Sequence, residues 1–228
     1  MAAPADINIE RLNGNWILRR DGQPPKTGVK PLGVQRLGNY WANRFIAKSR
    51  LAFTKGLFYP IKDAQSSEPS VKIDFVQTPS GGMSGTKEER VLDWKDYDHT
   101  DYFFGTVKAS SQYVFGAPVK DGSIRPEFDL KTDTKSAEIK QFLTGEINED
   151  WTKSAGFLVE SKDDESGGKI LGCWVHTFER NEKLEWTAEQ IWGFEMIGEL
   201  RYFTRRVVVM TSKGQYLCQR VVYDFVGF

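Results

Sequence analysis

The segment Trp186–Phe228, WTAEQIWGFEMIGELRYFTRRVVVMTSKGQYLCQRVVYDFVGF, decides the fold. It divides at Gly198-Glu199 and at Ser212-Lys213-Gly214 into three runs rich in aromatic and β-branched residues. Runs of that composition separated by short turn signals predict an antiparallel meander. Gln190, Arg205, Arg206, Arg220, Tyr223 and Asp224 sit inside stretches otherwise apolar enough to be buried. Large aromatics with scattered polar groups on a sheet face suit a barrel that holds a small molecule better than a dry core.

Upstream of the meander, further strand patterns are expected at about Leu51–Tyr59, Val71–Gln77, Ser84–Asp93, Tyr102–Val114, Gln141–Ile147 and Lys169–Arg180. A short first strand lies within Ile9–Arg19. Alternation is plain where Val71, Ile73 and Phe75 oppose Lys72 and Asp74, because successive strand residues face opposite sides. One amphipathic helix is predicted over Val34–Ser49, where Val34, Leu37, Trp41 and Phe45 recur at spacings of three and four. It would lie across one mouth of a barrel or pack on the outside of a sandwich. The polar span Gly116–Lys140 is expected to be a long loop excursion. The expectation is a single all-β domain over residues 1–228: an antiparallel β-barrel of about ten strands with one helix near its mouth.

Bulk properties exclude several function classes. The 228 residues carry 31 basic and 31 acidic side chains and no basic run interleaved with aromatics, which speaks against nucleic acid or an anionic membrane as partner. No stretch approaches about 18 consecutive apolar residues, and the N-terminus MAAPADINIERLNG lacks the apolar core of a signal peptide. Cys173 and Cys218 make no disulfide framework, so a reduced, cytoplasmic setting is expected. The expected partner is a hydrophobic small molecule, with the protein acting as a monomer or homodimer.

Catalytic motifs are few. There is no phosphate-binding glycine loop and no G-x-G-x-x-G after a strand. Gly82-Met83-Ser84-Gly85 falls short of a nucleophile elbow. Cys173 and His176, three residues apart on a strand, point to opposite faces and cannot share a metal. His99 sits in DYDHTD, read as a charged hairpin tip. His176 falls between Trp174 and Phe178 at same-face spacing, either as a core histidine or as a hydrogen-bonding group in a pocket. No metal and no cofactor are expected.

Leu12-Asn13-Gly14-Asn15-Trp16 resembles the opening G-x-W of lipocalins and related calycin barrels. The order of QTPSGGMSGTKEERVLDW, HTDYFFGTVKA and EWTAEQIWGFEMI…RRVVV…VVYDFVG is similar to a group of fungal lipocalin-like proteins of secondary-metabolite pathways. Some members are intermolecular hetero-Diels–Alderases that make tropolone sesquiterpenoids. The resemblance spans Leu12 to Gly227 apart from the variable loop. It implies a calycin fold, in which the G-x-W tryptophan closes one barrel end, often beneath a late-strand arginine such as Arg206 or Arg220. It carries over no catalytic residue.

The residues themselves permit such chemistry. A cycloaddition needs neither nucleophile nor metal, only a cavity that aligns two reactants and excludes water. A hydrogen-bond donor to the heterodiene oxygen would assist it. The candidate donors are Gln190, Arg206 and His176, with Tyr202 beside them. Trp174, Trp192 and Phe194 are candidate walls, and Trp41 and Phe45 a cap. Gln190, Trp192 and Phe194 share one face of their strand, and Tyr202, Thr204 and Arg206 share one face of theirs. If Arg206 points inward, Arg205 points out, and the reverse. Which faces point inward stays open. So do two functions: a hetero-Diels–Alderase joining a tropolone-derived o-quinone methide to a humulene-type sesquiterpene, and a non-catalytic carrier of a hydrophobic metabolite.

Overall fold

A computed structural model describes residues 1–19, 53–61, 70–78, 86–101, 105–160, 162–163 and 169–228. The predicted helix over Val34–Ser49, with Trp41 and Phe45, lies outside the described residues, as does Gly82-Met83-Ser84-Gly85. The meander forms as the sequence predicts. Strands β11 (Trp186–Ile197), β12 (Leu200–Thr211) and β13 (Tyr216–Gly227) pair antiparallel through the two expected turns.

The other strands are β1 (Gly14–Leu18), β2 (Phe53–Ile61), β3 (Ser70–Thr78), β4 (Thr86–Val91), β5 (Tyr97–Asp101), β6 (Gly105–Pro118), β7 (Ile124–Pro126), β8 (Lys162–Asp163), β9 (Lys169–Ile170) and β10 (Cys173–Asn181). Ten of the thirteen strands, with β7 added on β6, build one antiparallel sheet in the order β4-β3-β2-β1-β13-β12-β11-β10-β6-β5, and β8 and β9 pair separately. The sheet is strongly curled into a half-barrel, consistent with a calycin-like all-β fold. The end strand β4 meets β6, the strand next to the other end, through side chains, as where Arg90 Nη1 on β4 donates to Ser111 Oγ on β6 at 3.3 Å.

Gly14 and Trp16 show why the G-x-W spacing matters to packing. Gly14 has φ +141°, and a Cβ there would sit 2.5 Å from Phe225 Cε2. Trp16 is fully buried, its indole N–H donating to the Leu12 carbonyl at 3.1 Å, its ring 4.9 Å from Phe225 and 5.5 Å from Phe203. Ala3, Ile7, Ile9 and Leu12 join this inner cluster. The Arg201 guanidinium ties their segment to β12 by donating to the carbonyls of Pro4 and Ile7. The N-terminal segment therefore fills the end of the curl beside the β11–β12 turn.

The outer face is also covered, and here the sequence expectations need correction. The strand expected at Gln141–Ile147 is instead helix α1 (Ala137–Leu143). Ile139, Phe142 and Leu143 recur at helical spacing and are fully buried against the sheet. The expected polar loop over Gly116–Lys140 contains β7 and the start of α1, and Phe128 is buried within it. Apolar residues spaced through a polar segment hold it to the sheet; its composition alone hides them. The run Lys169–Arg180 breaks at Gly172, φ +74°, into β9 and β10. His99 lies within β5, paired with Val107, rather than at a hairpin tip.

Because both sheet faces are covered, β11 is buried at every position from Ala188 to Glu195. Burial therefore cannot reveal the inner face; register does. On the outer face, Gly193 allows Trp174 and Phe157 to approach, since a Cβ there would meet the Trp174 ring at 2.5 Å and the Phe157 ring at 2.8 Å.

Candidate functional site

Cross-strand partners in an antiparallel ladder point to the same face. Val175, Trp192, Arg205 and Val221 form one row across β10–β13, and Thr177, Gln190, Val207 and Gln219 form the next. Trp192 packs edge-on against Phe75 of β3, with ring centroids 5.3 Å apart, so these rows line the inside of the curl. Below them lie Phe194, Phe203 and Trp16 as an apolar floor, with Phe194 and Phe203 5.8 Å apart.

The inner rows are polar as well as aromatic. The Trp192 indole donates to Gln190 Oε1 at 3.0 Å, and Gln190 Nε2 donates to Glu179 Oε1 at 3.4 Å. Glu179 also accepts from the Arg90 guanidinium, which binds Glu88 in turn. All four of these polar residues are buried. Burial opposes the charge of Arg90, but Glu88 and Glu179 more than offset it and hold the guanidinium protonated. Gln190 is thus fixed at both ends of its amide, with one N–H left over.

Arg205 differs from Arg90. It is 6% exposed, yet its Nε and Nη2 have no hydrogen-bond partner among the described residues. Its guanidinium carbon lies 4.0 Å from the Trp192 ring centroid, 4.6 Å from that of Phe75 and 5.3 Å from that of Tyr223. Each such cation–π contact offsets about 0.5–2 kcal/mol of desolvation, against a penalty of several kcal/mol for burying the ion. The faces of the guanidinium are satisfied; its edge is not. Thr177 Oγ1 and Gln219 Oε1, in the neighbouring row, also lack partners among the described residues.

The expectation that Gln190, Trp192 and Arg206 share one wall fails at Arg206. Arg206 pairs with Ile191 and faces outward. Its Nε and Nη2 donate to the two Glu195 oxygens at 2.9 Å each, its Nη1 donates to the carbonyls of Phe142 at 3.1 Å and Ile147 at 2.6 Å, and Nη2 also reaches Ser154 Oγ at 2.9 Å. A guanidinium has five N–H donors, and all are taken. Arg206 clamps α1 to the sheet. It does not lie under Trp16, and neither does Arg220, which donates to Glu195 at 3.2 Å.

His176, Trp174 and Tyr202 also face outward. His176 is fully buried between Trp94, stacked at 4.7 Å, and Phe128 at 4.6 Å, with Nε2 2.9 Å from Glu189. Glu189 further accepts from the backbone of Lys131 and from the backbone and hydroxyl of Thr132. Burial pushes the Glu189 carboxyl upward, but these donors outweigh it and hold the group below the ordinary glutamate range. Trp174 packs on Phe157, and Tyr202 lies under the Arg19 guanidinium at 4.8 Å. His176 and Trp174 belong to the packing of the outer face, and Tyr202 packs under Arg19. Phe194, Gln190 and Trp192 face inward.

Arg205, Arg90, Glu88, Glu179, Thr177 and Gln219 are polar inner-face residues that the sequence reading did not name as site residues. One signal could have found Arg205. A two-residue turn at Gly198-Glu199 sets Ile197 opposite Leu200, and counting back pairs Trp192 with Arg205. Glu88 and Arg90 stand two residues apart on β4, but Glu179 comes from β10, far away in sequence, and no local pattern joins it to them. Among the described residues no cluster of three or more His, Cys, Asp or Glu is arranged to hold a metal. No described helix is long and apolar enough to cross a membrane.

The chain is 28% identical over 232 residues to the probable pericyclase scpY of Mollisia scopiformis, across 99% of this chain and 95% of that one. No family model matches the chain, and no solved structure does.

Proposed function

We propose that this protein is a pericyclase whose chemistry takes place on the inner face of the half-barrel. The similarity to the scpY pericyclase runs along nearly the whole chain, which favours a shared reaction class. The observation that carries the reading is Arg205: a buried cation stacked on Trp192 with two N–H groups unpartnered among the described residues. In a cycloaddition of an oxygen-bearing diene, electron density accumulates on that oxygen as the new bonds form. A preorganised donor there is worth about 2.7–4 kcal/mol of barrier. Alignment of the two reactants against Trp192 and Phe75 adds up to roughly 7–11 kcal/mol in favourable cases.

In its finer form the proposal is an intermolecular hetero-Diels–Alder addition of a tropolone-derived o-quinone methide to a humulene-type sesquiterpene. Arg205 takes the donor role that the sequence assigned to Arg206, and Gln190 orients Trp192. Incubation of purified protein with generated quinone methide and humulene tests it. A faster and more stereoselective reaction than the spontaneous one is expected, unchanged after dialysis against a chelator. Saturable binding of either reactant with background rate and selectivity would instead make the protein a carrier. Loss of activity on chelation, restored by a divalent metal, would overturn the cofactor-free mechanism.

A further inference from the structure

The unpartnered atoms of Arg205 define more than a donor. Nε and Nη2 lie along one edge of the guanidinium, two parallel N–H groups at the spacing of a carboxylate's oxygens. Both lack a partner among the described residues, and no carboxylate among them pairs with Arg205. Among the described residues, the inner-face acids Glu179 and Glu88 are committed elsewhere, Glu179 to Arg90 and Gln190, and Glu88 to Arg90. The rings of Trp192, Phe75 and Tyr223 occupy the space around the guanidinium, so an acceptor must approach its free edge in its own plane.

We infer that the inner site binds a planar, conjugated anion carrying two coplanar acceptor oxygens, a carboxylate or its vinylogous equivalent, bidentate on the Nε–Nη2 edge of Arg205. The inference rests on the inner-face site proposed above but not on the reaction assigned to it, and it holds for an enzyme or a carrier. The anion supplies the counter-charge that no described residue provides. The partnerless Thr177 Oγ1 and Gln219 Oε1, one row away, offer a hydroxyl and an acceptor to polar substituents at the ligand's far side. A neutral ligand of the same shape leaves the guanidinium uncompensated and binds weakly.

Benzoate and benzamide, equal in shape and opposite in this respect, provide the test. Binding is read by tryptophan fluorescence and by ligand-observed NMR on the intact protein. Benzoate should bind at least about tenfold more tightly than benzamide, as a charge-assisted bidentate pair implies. That preference should disappear in Arg205→Gln and be only partly kept in Arg205→Lys, which retains charge without the fork. The wild-type comparison stands even if a variant fails to fold. Equal binding of the two probes, no binding of benzoate, or undiminished benzoate affinity in folded Arg205→Gln overturns the inference. The quinone methide assay reports separately on the pericyclase reading.

Discussion

Arg205 stacks on Trp192 at 4.0 Å inside the curled sheet, a pairing fixed by their position directly across the β11–β12 ladder. The next residue along, Arg206, points the other way and spends all its donors on Glu195 and the covering segment. Two adjacent arginines thus divide the labour, one with donors unpartnered among the described residues within the curl and one holding its outer wall.

Trp192→Ala removes a fully buried ring that packs on Phe75 and carries Arg205. Unfolding free energy should fall by about 3–5 kcal/mol, and rate per folded molecule should fall with it. Gln190→Ala should cost less stability and erode stereoselectivity, since Gln190 tethers the indole N–H. Denaturant titration with chiral product analysis checks both; wild-type selectivity in a folded Gln190→Ala protein would show that the tether does not matter.

Arg206→Ala strips the Glu195 carboxylate of its bidentate partner in a fully buried site. A loss of up to about 3–5 kcal/mol is expected, because the buried charge loses its bidentate partner and keeps only Arg220 and the Thr204 hydroxyl. Activity per folded molecule should stay near wild type at a temperature where the variant remains folded. Thermal melts paired with the cycloaddition assay separate the two effects.

Acid should loosen the same clamp. Burial pushes the Glu195 carboxyl up, but Arg206 and then Arg220 outweigh it and hold the group below its ordinary value of 4.5. A carboxyl depressed in the folded state contributes stability that is complete above the unfolded value and is lost as pH falls through the folded one. Melting temperature should therefore drop below about pH 4.5. Glu195→Gln should be less stable at neutral pH yet show a shallower acid decline; an identical slope would exclude Glu195 as a source.

The meander was legible because its signals are local: β-branched and aromatic runs, and two short turns at Gly198-Glu199 and Ser212-Lys213-Gly214. Helix α1 was not. Ile139, Phe142 and Leu143 occupy a seven-residue helix, too short for its periodicity to stand out from the strand-like run beside it. Part of the inner face was legible too. Gln190, Trp192 and Phe194 share a face by simple alternation, but choosing Arg205 over Arg206 needed the register across the hairpin. His176 and Trp174 misled because a covered outer face is as apolar as an inner one. The charged network of Arg90, Glu88 and Glu179 exists only once the two ends of the sheet meet.

The central claim, that the inner face carries the reaction, is tested most directly by measuring rate and enantiomeric ratio for folded Arg205→Gln and Arg206→Gln side by side. Arg205→Gln should fall by about a hundredfold or more toward background, as loss of one preorganised donor implies, and form product of eroded enantiomeric ratio. Arg206→Gln should keep wild-type rate and ratio per folded molecule while melting at lower temperature. The reverse pattern, with Arg205→Gln fully active and Arg206→Gln inactive though folded, would contradict the account and place the chemistry on the outer face.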